Sequence, residues 1–188
     1  LFEEGDFLFP KAVSEEDLLL VHTKDYVDKL LKERMSAFDL MRLELPFSRE
    51  LIEASRICVE GTILAARYAI KDGVAVHIGG GFHHSFPDHG EGFCVFNDIA
   101  IGIKKLKEEA LIEKAMVLDC DLHHGNGTAF IFAKDKSVFT FSMHQENNYP
   151  LEKPPSDIDI GLDDGAGDKE YLENLNKTIP PVIKEFGP

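Results

Sequence analysis

The amino-acid sequence predicts an α/β fold built around a mainly parallel sheet. Short β-favouring runs alternate along the chain with longer stretches of helical periodicity, the pattern of parallel strands joined by helices. Two of these runs, residues 74–78 and 115–119, continue directly into polar clusters. With 44% hydrophobic side chains among 188 residues, the chain is long enough to bury one core of ordinary size. Because ligands of such folds gather beyond the carboxyl ends of the strands, the polar clusters are the candidate functional residues.

The N-terminal part of the sequence predicts two short helices and one long helix. Ser14, followed by three acidic residues and an apolar run, is typical of an N-cap, and Thr23 opens a second short helix. Residues 48–70 carry apolar side chains near helical spacing, and Gly73 ends that pattern. The first predicted strand, residues 74–78, follows directly.

The later elements continue the alternation of helix and strand. They are a helix at residues 97–109, strands at 115–119 and 138–143, and a polar helix at 168–185. Residues 179–188 leave the last helix and stop where the alternation calls for another strand, and the first residue is not Met. We therefore expect residues 1–188 to form one domain that is truncated at both ends and has an unfinished sheet.

Composition limits the ligands and compartments. Lys and Arg number 20 against 34 Asp and Glu, and the resulting charge of -14 opposes direct binding to nucleic acid. The same charge can attract a cationic peptide or polyamine, or it serves solubility alone. No apolar run approaches the ~20 residues that span a bilayer, and no signal peptide is evident. Cys58, Cys94 and Cys120 lack C-x-x-C spacing and sit in apolar runs, which predicts buried thiols in the reducing cytoplasm or nucleus.

The most specific polar cluster is Asp-Cys-Asp-Leu-His-His-Gly-Asn-Gly at residues 119–127. Residues two apart on an extended strand end face the same side, so Asp121 and His123 can point at one ion, with Asp119 one step earlier. A carboxylate with an imidazole suits zinc, and a catalytic zinc needs one further protein ligand and an open position. The alternative is that these side chains only cap the strand and hold a turn. The length of the pattern at a strand terminus weighs against that alternative.

Two further clusters contain residue types that are suited either to catalysis or to packing. Gly-Gly-Gly-Phe-His-His at residues 79–84 combines glycines, which allow tight backbone approach, with imidazoles that can act as a base near neutral pH. A second His-His pair at a second predicted strand end is unlike a chance occurrence. Residues 91–98, Glu-Gly-Phe-Cys-Val-Phe-Asn-Asp, place aromatic side chains beside a glycine and before a helix. They indicate either packing under a loop or an apolar wall for an aliphatic substrate arm.

Together the three clusters resemble the motifs of the histone deacetylase and acetoin-utilisation family in order, spacing and residue type, over nearly the whole chain. The triple glycine with Phe82, and Glu-Gly-Thr-Ile-Leu-Ala at residues 60–65, look most like the class IV branch and its bacterial relatives. The resemblance implies an arginase/deacetylase fold: three layers, α/β/α, around a central, mainly parallel sheet. It also implies a zinc-dependent hydrolase that removes acetyl or other acyl groups from an amine, either an acyl-lysine or an acylated polyamine.

The resemblance implies a role for each histidine of the first pair. His83 and His84 contact the attacking water, and His84 is the general base. Asp119 orients His83, and Asn126 sits behind His84. Where some branches have Asp at this last position, the amide removes a negative charge beside the general base.

The resemblance further implies metal and substrate sites. Asp121 and His123 bind zinc, and the same donors suit Fe²⁺. Gly92 and Phe93 form one wall of the tunnel for the acyl arm, and Tyr149 is a candidate for the opposing wall. A structural potassium ion is held by oxygens of a set that spans both strand ends. Its members are Asp119, Asp121, His123, Ser142 and Met143.

Two residues of the family's active site have no counterpart in this sequence. They are the third zinc ligand and the tyrosine that stabilises the oxyanion, so this segment alone is expected to be inactive. One alternative is a catalytically silent acyl-lysine-binding module of the same fold, against which the intact His83, His84, Asp121 and His123 weigh. Another is a two-manganese relative acting on a guanidinium substrate, which needs more carboxylates at the strand ends. The sequence specifies neither the acyl group and amine nor the oligomeric state.

Overall fold

The structure is a computed structural model that describes residues 7–188. Its internal contacts divide the chain into two compact units, the first ending at Glu109 and the second spanning Ala110–Pro188. The prediction of a single domain is neither confirmed nor contradicted by this division.

The first unit is helical throughout its regular structure. Its helices are α1 (Glu15–Leu18), α2 (Lys24–Leu31), α3 (Ala37–Leu43), α4 (Arg49–Asp72) and α5 (Asp98–Glu108). The long helix α4 packs along α5, while α1 contacts α5 and α2 contacts α4. Apolar side chains from these helices are fully buried between them. They include Leu18, Val27, Leu30, Val59, Ile63 and Ile101. This core fixes the N-terminus of α5 against α4.

The predicted helix boundaries are confirmed by their caps. The side chains of Ser14, Thr23 and Ser48 accept hydrogen bonds from backbone amides in the first turns of α1, α2 and α4. Gly73 ends α4 in the left-handed region, with φ of 90°, where glycine is unstrained. Helix α3 was not predicted, although a capping box between Ser36 and Asp39 marks its start.

The prediction of a strand at residues 74–78 is wrong. These residues have no regular secondary structure, and the side chains of Val74, Val76 and Ile78 are 76%, 83% and 88% exposed. A strand needs a neighbouring strand to satisfy its amides and carbonyls. Within residues 7–109, the only bridge is the isolated pair Glu91 and Cys94, so the β-favouring sequence has no strand to pair with there.

The second unit contains the sheet. Its elements are β1 (Ala115–Asp119), α6 (Asn126–Phe132), β2 (Val138–Gln145), β3 (Ile158–Leu162) and α7 (Asp168–Phe186). The strands pair in the order β1-β2-β3, and both pairs are parallel. The prediction of an α/β fold with a parallel sheet is therefore confirmed, and the predicted strands at 115–119 and 138–143 correspond to β1 and β2.

The central strand β2 is buried on both faces. Phe141 and Met143 pack with Leu162 of β3 and Ile179 of α7, whereas the alternate residues from Thr140 to His144 are buried on the opposite face. Burial on both faces is characteristic of parallel sheets. It places polar side chains such as Ser142 and His144 in the interior.

Helix α7 confirms the predicted helix at residues 168–185 and ends one residue later, at Phe186. Two consecutive prolines, Pro180 and Pro181, lie inside this helix. A proline removes one helical hydrogen bond to the carbonyl four residues earlier. Those carbonyls belong to Asn176 and Lys177, which are exposed, so water can satisfy them and the helix persists.

The cysteine prediction is partly wrong. All three thiols are free, but only Cys94 is buried; Cys58 is half-buried, and Cys120, directly after β1, is exposed. Because β1 ends at Asp119, Cys120 belongs to the loop at the carboxyl end of the strand. It lies beside the predicted metal ligands and is accessible.

Candidate active site and metal-binding residues

The first histidine pair lies in a loop between α4 and α5. His83 and His84 are 6% and 4% exposed, and their Nε2 atoms are 3.1 Å apart. Their ring centroids are 4.1 Å apart. At this separation one Nε2 carries a hydrogen and the other accepts it. The structure thus brings the two predicted catalytic histidines into direct contact in a largely dry environment.

The predicted tunnel residues occupy a tight turn in the same unit. Glu91 and Cys94 exchange both backbone hydrogen bonds, and Gly92 and Phe93 between them have φ of 52° and 66°. Two successive positive φ values define the type I′ turn, which a phenylalanine adopts only under strain. Backbone bonds from Gly92 and Phe93 to carbonyls of Arg42 and Leu43 hold the turn against α3. The Phe93 side chain is consequently presented outward, 58% exposed.

The predicted zinc ligands follow β1 in the second unit. Nδ1 of His123 lies 3.3 Å from Oδ1 of Asp121. The backbone repeats a local pattern, because Asp119 Oδ1 accepts the amide of Asp121 and Asp121 Oδ1 accepts the amide of His123. These bonds turn the chain so that the two donor side chains meet. Both are partly open, with side chains 53% and 36% exposed.

The other predicted residues of this unit cluster around the same strand ends. Ser142 is the register partner of Asp119 across β1 and β2, and Ser142 and Met143 are buried. Asn126 is buried at the first position of α6. The ring of Tyr149 meets that of His123 edge-on, with centroids 5.9 Å apart. The sheet therefore gathers the predicted metal and tunnel residues of this unit at one edge.

A second group of potential metal ligands was missed by sequence reasoning. His124, His144 and Asp159 place one donor atom each within 4.8 Å of one another. His124 Nε2 is 3.0 Å from Asp159 Oδ1, and His144 Nδ1 is 3.0 Å from the Ser142 hydroxyl. His124 is completely buried, and its Nδ1 has no hydrogen-bond partner. The sequence signal was the second histidine of the pair at 123–124, combined with the two-residue alternation that points His144 to the same face as Ser142.

Burial and hydrogen bonding shift the titration of this group. Burial, followed by the nearby His124, lowers the pKa of His144. Burial raises the pKa of Asp159, but hydrogen bonds from His124 and Ser156 outweigh burial and leave that pKa below its usual value. Asp159 is thus held as a carboxylate, which ties β3 to the loop after β1.

A cavity of about 490 Å³ opens beside these residues in the second unit. Its lining includes Asp121, Met143, His144 and Tyr171, together with the exposed Cys120. The cavity lies outside the carboxyl ends of β1 and β2, where ligands of parallel sheets bind. The second unit therefore has space for a ligand next to the predicted metal-binding pair.

Comparison with known proteins gives consistent matches. The model of the histone deacetylase domain matches residues 1–188. An uncharacterized protein of Picosynechococcus sp. is 40% identical over 95% of this chain and 60% of its own length. The acetoin utilization protein AcuC of Bacillus subtilis is 35% identical over 100% of this chain and 54% of its own length.

Solved structures agree with the sequence relatives. A histone deacetylase homologue from Aquifex aeolicus superposes with a TM-score of 0.85 at 27% identity, covering 98% of this chain and 55% of the homologue. A complex of such a homologue with SAHA gives the same values. This chain thus spans little more than half the length of these proteins. In residues 7–188, no helix is both long and apolar enough to cross a membrane.

Proposed function

Because this chain belongs to the histone deacetylase domain family, we propose that it supplies much of the active site of a zinc-dependent hydrolase that removes acetyl or other acyl groups from an amine. The observation that carries this proposal is the buried contact between His83 and His84, whose Nε2 atoms lie 3.1 Å apart. A buried, hydrogen-bonded imidazole pair is suited to accept a proton and to hold it near the reacting atoms. A module that only binds an acyl-lysine has no use for such a pair.

The donor set after β1 fits a zinc ion. For zinc bonds of about 2.1 Å in a tetrahedral site, neighbouring donor atoms are separated by roughly 3.4 Å. The Asp121 and His123 donor atoms are 3.3 Å apart, and one is a carboxylate oxygen and the other an imidazole nitrogen. When bound, zinc supplies the Lewis acidity that polarises the amide carbonyl and activates water. Fe²⁺ suits the same donors.

In the proposed reaction, the His84 imidazole accepts a proton from the attacking water and later returns it to the leaving amine. His83, the hydrogen-bond partner of His84, stabilises the charge that develops, and Asp119 is the proposed orienting residue for His83. Asn126 is proposed to act beside the general base, where its amide would add no negative charge. We assign neither the third metal ligand nor the oxyanion-stabilising tyrosine to a residue of this sequence, and we expect residues 1–188 alone to be inactive.

The substrate arm is proposed to run beside Phe93. Its side chain is apolar, outward-facing and fixed by the strained turn at Gly92, which suits a wall for the aliphatic part of an acyl-lysine or acylated polyamine. Tyr149, whose ring meets that of the proposed zinc ligand His123, is the candidate for the opposing wall. The solved homologue bound to SAHA supports an acylated amine as the substrate class.

A structural potassium ion is proposed at the strand ends. The register that sets Asp119 beside Ser142 brings carboxylate and hydroxyl oxygens together, and oxygen donors are what hard cations require. The backbone carbonyls of Asp121, His123 and Met143 complete the proposed set.

The proposal is tested with the full-length gene product and an acetyl-lysine peptide. Zinc binding is measured by calorimetry and acetate release by an enzyme-coupled assay, for the wild type, Asp121→Ala and Asp168→Ala. Asp168 lies in the first turn of α7 and serves as a matched control. We expect metal binding and turnover to be lost in the Asp121 variant alone. Zinc binding that is unchanged in Asp121→Ala would disprove the metal assignment. Tight peptide binding without acetate release would point to the catalytically silent binding module.

A further inference from the structure

A buried carboxylate holds the loop just before the histidine pair. Asp98, at the first position of α5, is fully buried. Its Oδ1 accepts the backbone amide of Phe82 at 2.7 Å, and both oxygens lie within 3.2 Å of the amide of Gly81. Phe82 is the residue before His83. The position of the α5 N-terminus therefore sets the position of the first histidine.

The same carboxylate is linked to α4 and to a third histidine. The Thr62 hydroxyl donates to Asp98 Oδ2, and Thr62 Oγ1 is 2.9 Å from His77 Nδ1. Because a hydroxyl has one hydrogen and the carboxylate can only accept, His77 Nδ1 must be the donor in the second bond. Three donors thus converge on Asp98: the hydroxyl of Thr62 and the amides of Gly81 and Phe82.

The glycine at position 80 is required by this arrangement. A Cβ on Gly80 would lie 2.6 Å from Asp98 Oδ2, 2.6 Å from His77 Nδ1 and 2.7 Å from Thr62 Oγ1. These distances are shorter than van der Waals contact, so any side chain would break the hydrogen-bond chain. The triple glycine therefore has a local physical reason: the backbone passes directly over the buried carboxylate.

The residue before Asp98 holds the other side of the histidine pair. Asn97 Nδ2 donates to the carbonyl of Ser85 at 3.2 Å, while its Oδ1 caps α5 by accepting the amide of Ala100. The amide of Asn97 is itself bonded to Nε2 of the buried His22. Two adjacent side chains at one helix end therefore bracket residues 82–85 from both directions.

We propose that Asn97 and Asp98 are positioning residues that hold His83 and His84 in their catalytic contact. This inference rests on the proposed function, since it concerns the same histidines. Both residues act through backbone groups on either side of the pair, so they set where the imidazoles lie without taking part in proton transfer. Misplacement of a catalytic group by about 1 Å can cost roughly 100-fold in rate.

The test compares variants that remove one bond each. In Asp98→Asn, the single amide oxygen cannot accept hydrogen bonds from all three donors. Thr62→Val keeps the shape of the side chain but removes the hydroxyl. Thr62→Ser keeps the hydroxyl and serves as the matched control. We expect kcat to fall about 10- to 100-fold for Asp98→Asn and about 10-fold for Thr62→Val, with KM and zinc stoichiometry unchanged and activity kept in Thr62→Ser. Asn97→Asp preserves the helix cap but turns an acceptor toward the Ser85 carbonyl, and it should lose activity as well.

The control is Asp39→Asn, the same chemical change in the first turn of α3, where the carboxylate belongs to a capping box remote in sequence from this loop. Long-range proton–nitrogen NMR of ¹⁵N-histidine-labelled full-length protein reports the bond between His83 and His84 independently of turnover. Full activity and unchanged imidazole signals in Asp98→Asn and Thr62→Val would overturn the inference. Equal losses in the Asp39 variant would also overturn it. If the wild type releases no acetate, the proposed function fails, and the NMR comparison still decides whether Asn97 and Asp98 hold the histidine pair in contact.

Discussion

The Nε2 atoms of His83 and His84 share one hydrogen bond, 3.1 Å long, in an almost fully buried pair. The two rings are therefore directly coupled through this bond. Removal of either ring leaves a buried polar nitrogen without that partner. The two histidines are consequently expected to act as a unit rather than as two independent groups.

Mutation of the pair should be strongly non-additive. We expect His83→Ala and His84→Ala each to reduce kcat/KM by about 10²- to 10⁴-fold, the range of general acid–base catalysis. The double variant should lose little more than the worse single variant, because both remove the same unit. Steady-state kinetics of the full-length protein measure these factors, with His89→Ala as a control in the same loop. Factors that multiply in the double variant would show that the histidines work separately.

The free energy of unfolding should decrease at acidic pH because the buried His22 becomes protonated on unfolding. Its Nε2 accepts the amide of Asn97 and its Nδ1 faces the carbonyl of Phe86, and burial lowers its pKa to about 4 from the usual 6.5. Between these values the unfolded chain binds more protons than the folded chain, so the free energy of unfolding decreases as pH falls from about 6.5 to 4, by up to about 3 kcal/mol.

The His22 contribution is measured by urea unfolding at several pH values. His22→Gln can donate and accept but does not titrate in this range, so its unfolding free energy should be lower at pH 8 and flatter between pH 6.5 and 4. Parallel curves for the wild type and this variant would contradict the assignment.

Phe93 should show a conflict between stability and substrate binding. Its φ of 66° costs a side chain about 1 kcal/mol, which glycine does not incur. We expect Phe93→Gly to raise the free energy of unfolding by up to about 1 kcal/mol while raising KM for an acyl-lysine peptide. Phe93→Ala removes the same ring but keeps the strain, so it should raise KM without the gain in stability. A KM unchanged in both variants would remove Phe93 from the substrate path.

Elements that depend on local sequence were predictable. Caps at Ser48 and Gly73 gave the bounds of α4 to within a few residues, because capping is decided by the residues at the helix ends themselves. The two-residue spacing of Asp121 and His123 predicted that both side chains can point at one ion, and in the structure their donor atoms lie 3.3 Å apart, because local backbone turns suffice to bring them together.

Features that depend on distant partners were not predictable. Residues 74–78 have the composition of a strand, but pairing requires a neighbour that local sequence does not supply. The contact of His124 with Asp159 depends on the register of β2 and β3, which a single sequence does not reveal. Asp98 was visible only as a helix start, since its role depends on the path of the loop at Gly80.

Mutation should distinguish the two groups of potential metal ligands in the second unit, Asp121 with His123 and His124 with His144 and Asp159. Asp159 accepts a hydrogen bond from the fully buried His124 and another from the amide of Ser156, so its carboxylate is already used in tying β3 to the loop after β1. We expect Asp159→Ala to lower the free energy of unfolding by about 1–3 kcal/mol, since a buried imidazole loses its partner, while zinc stoichiometry is retained. Asp121→Ala should leave the free energy of unfolding nearly unchanged, because its carboxylate is half-exposed. It should lower the zinc stoichiometry, because it removes a metal donor. Calorimetric zinc titration and thermal unfolding of both variants distinguish the two roles, and loss of zinc in Asp159→Ala alone would place the metal at His124 and His144 instead.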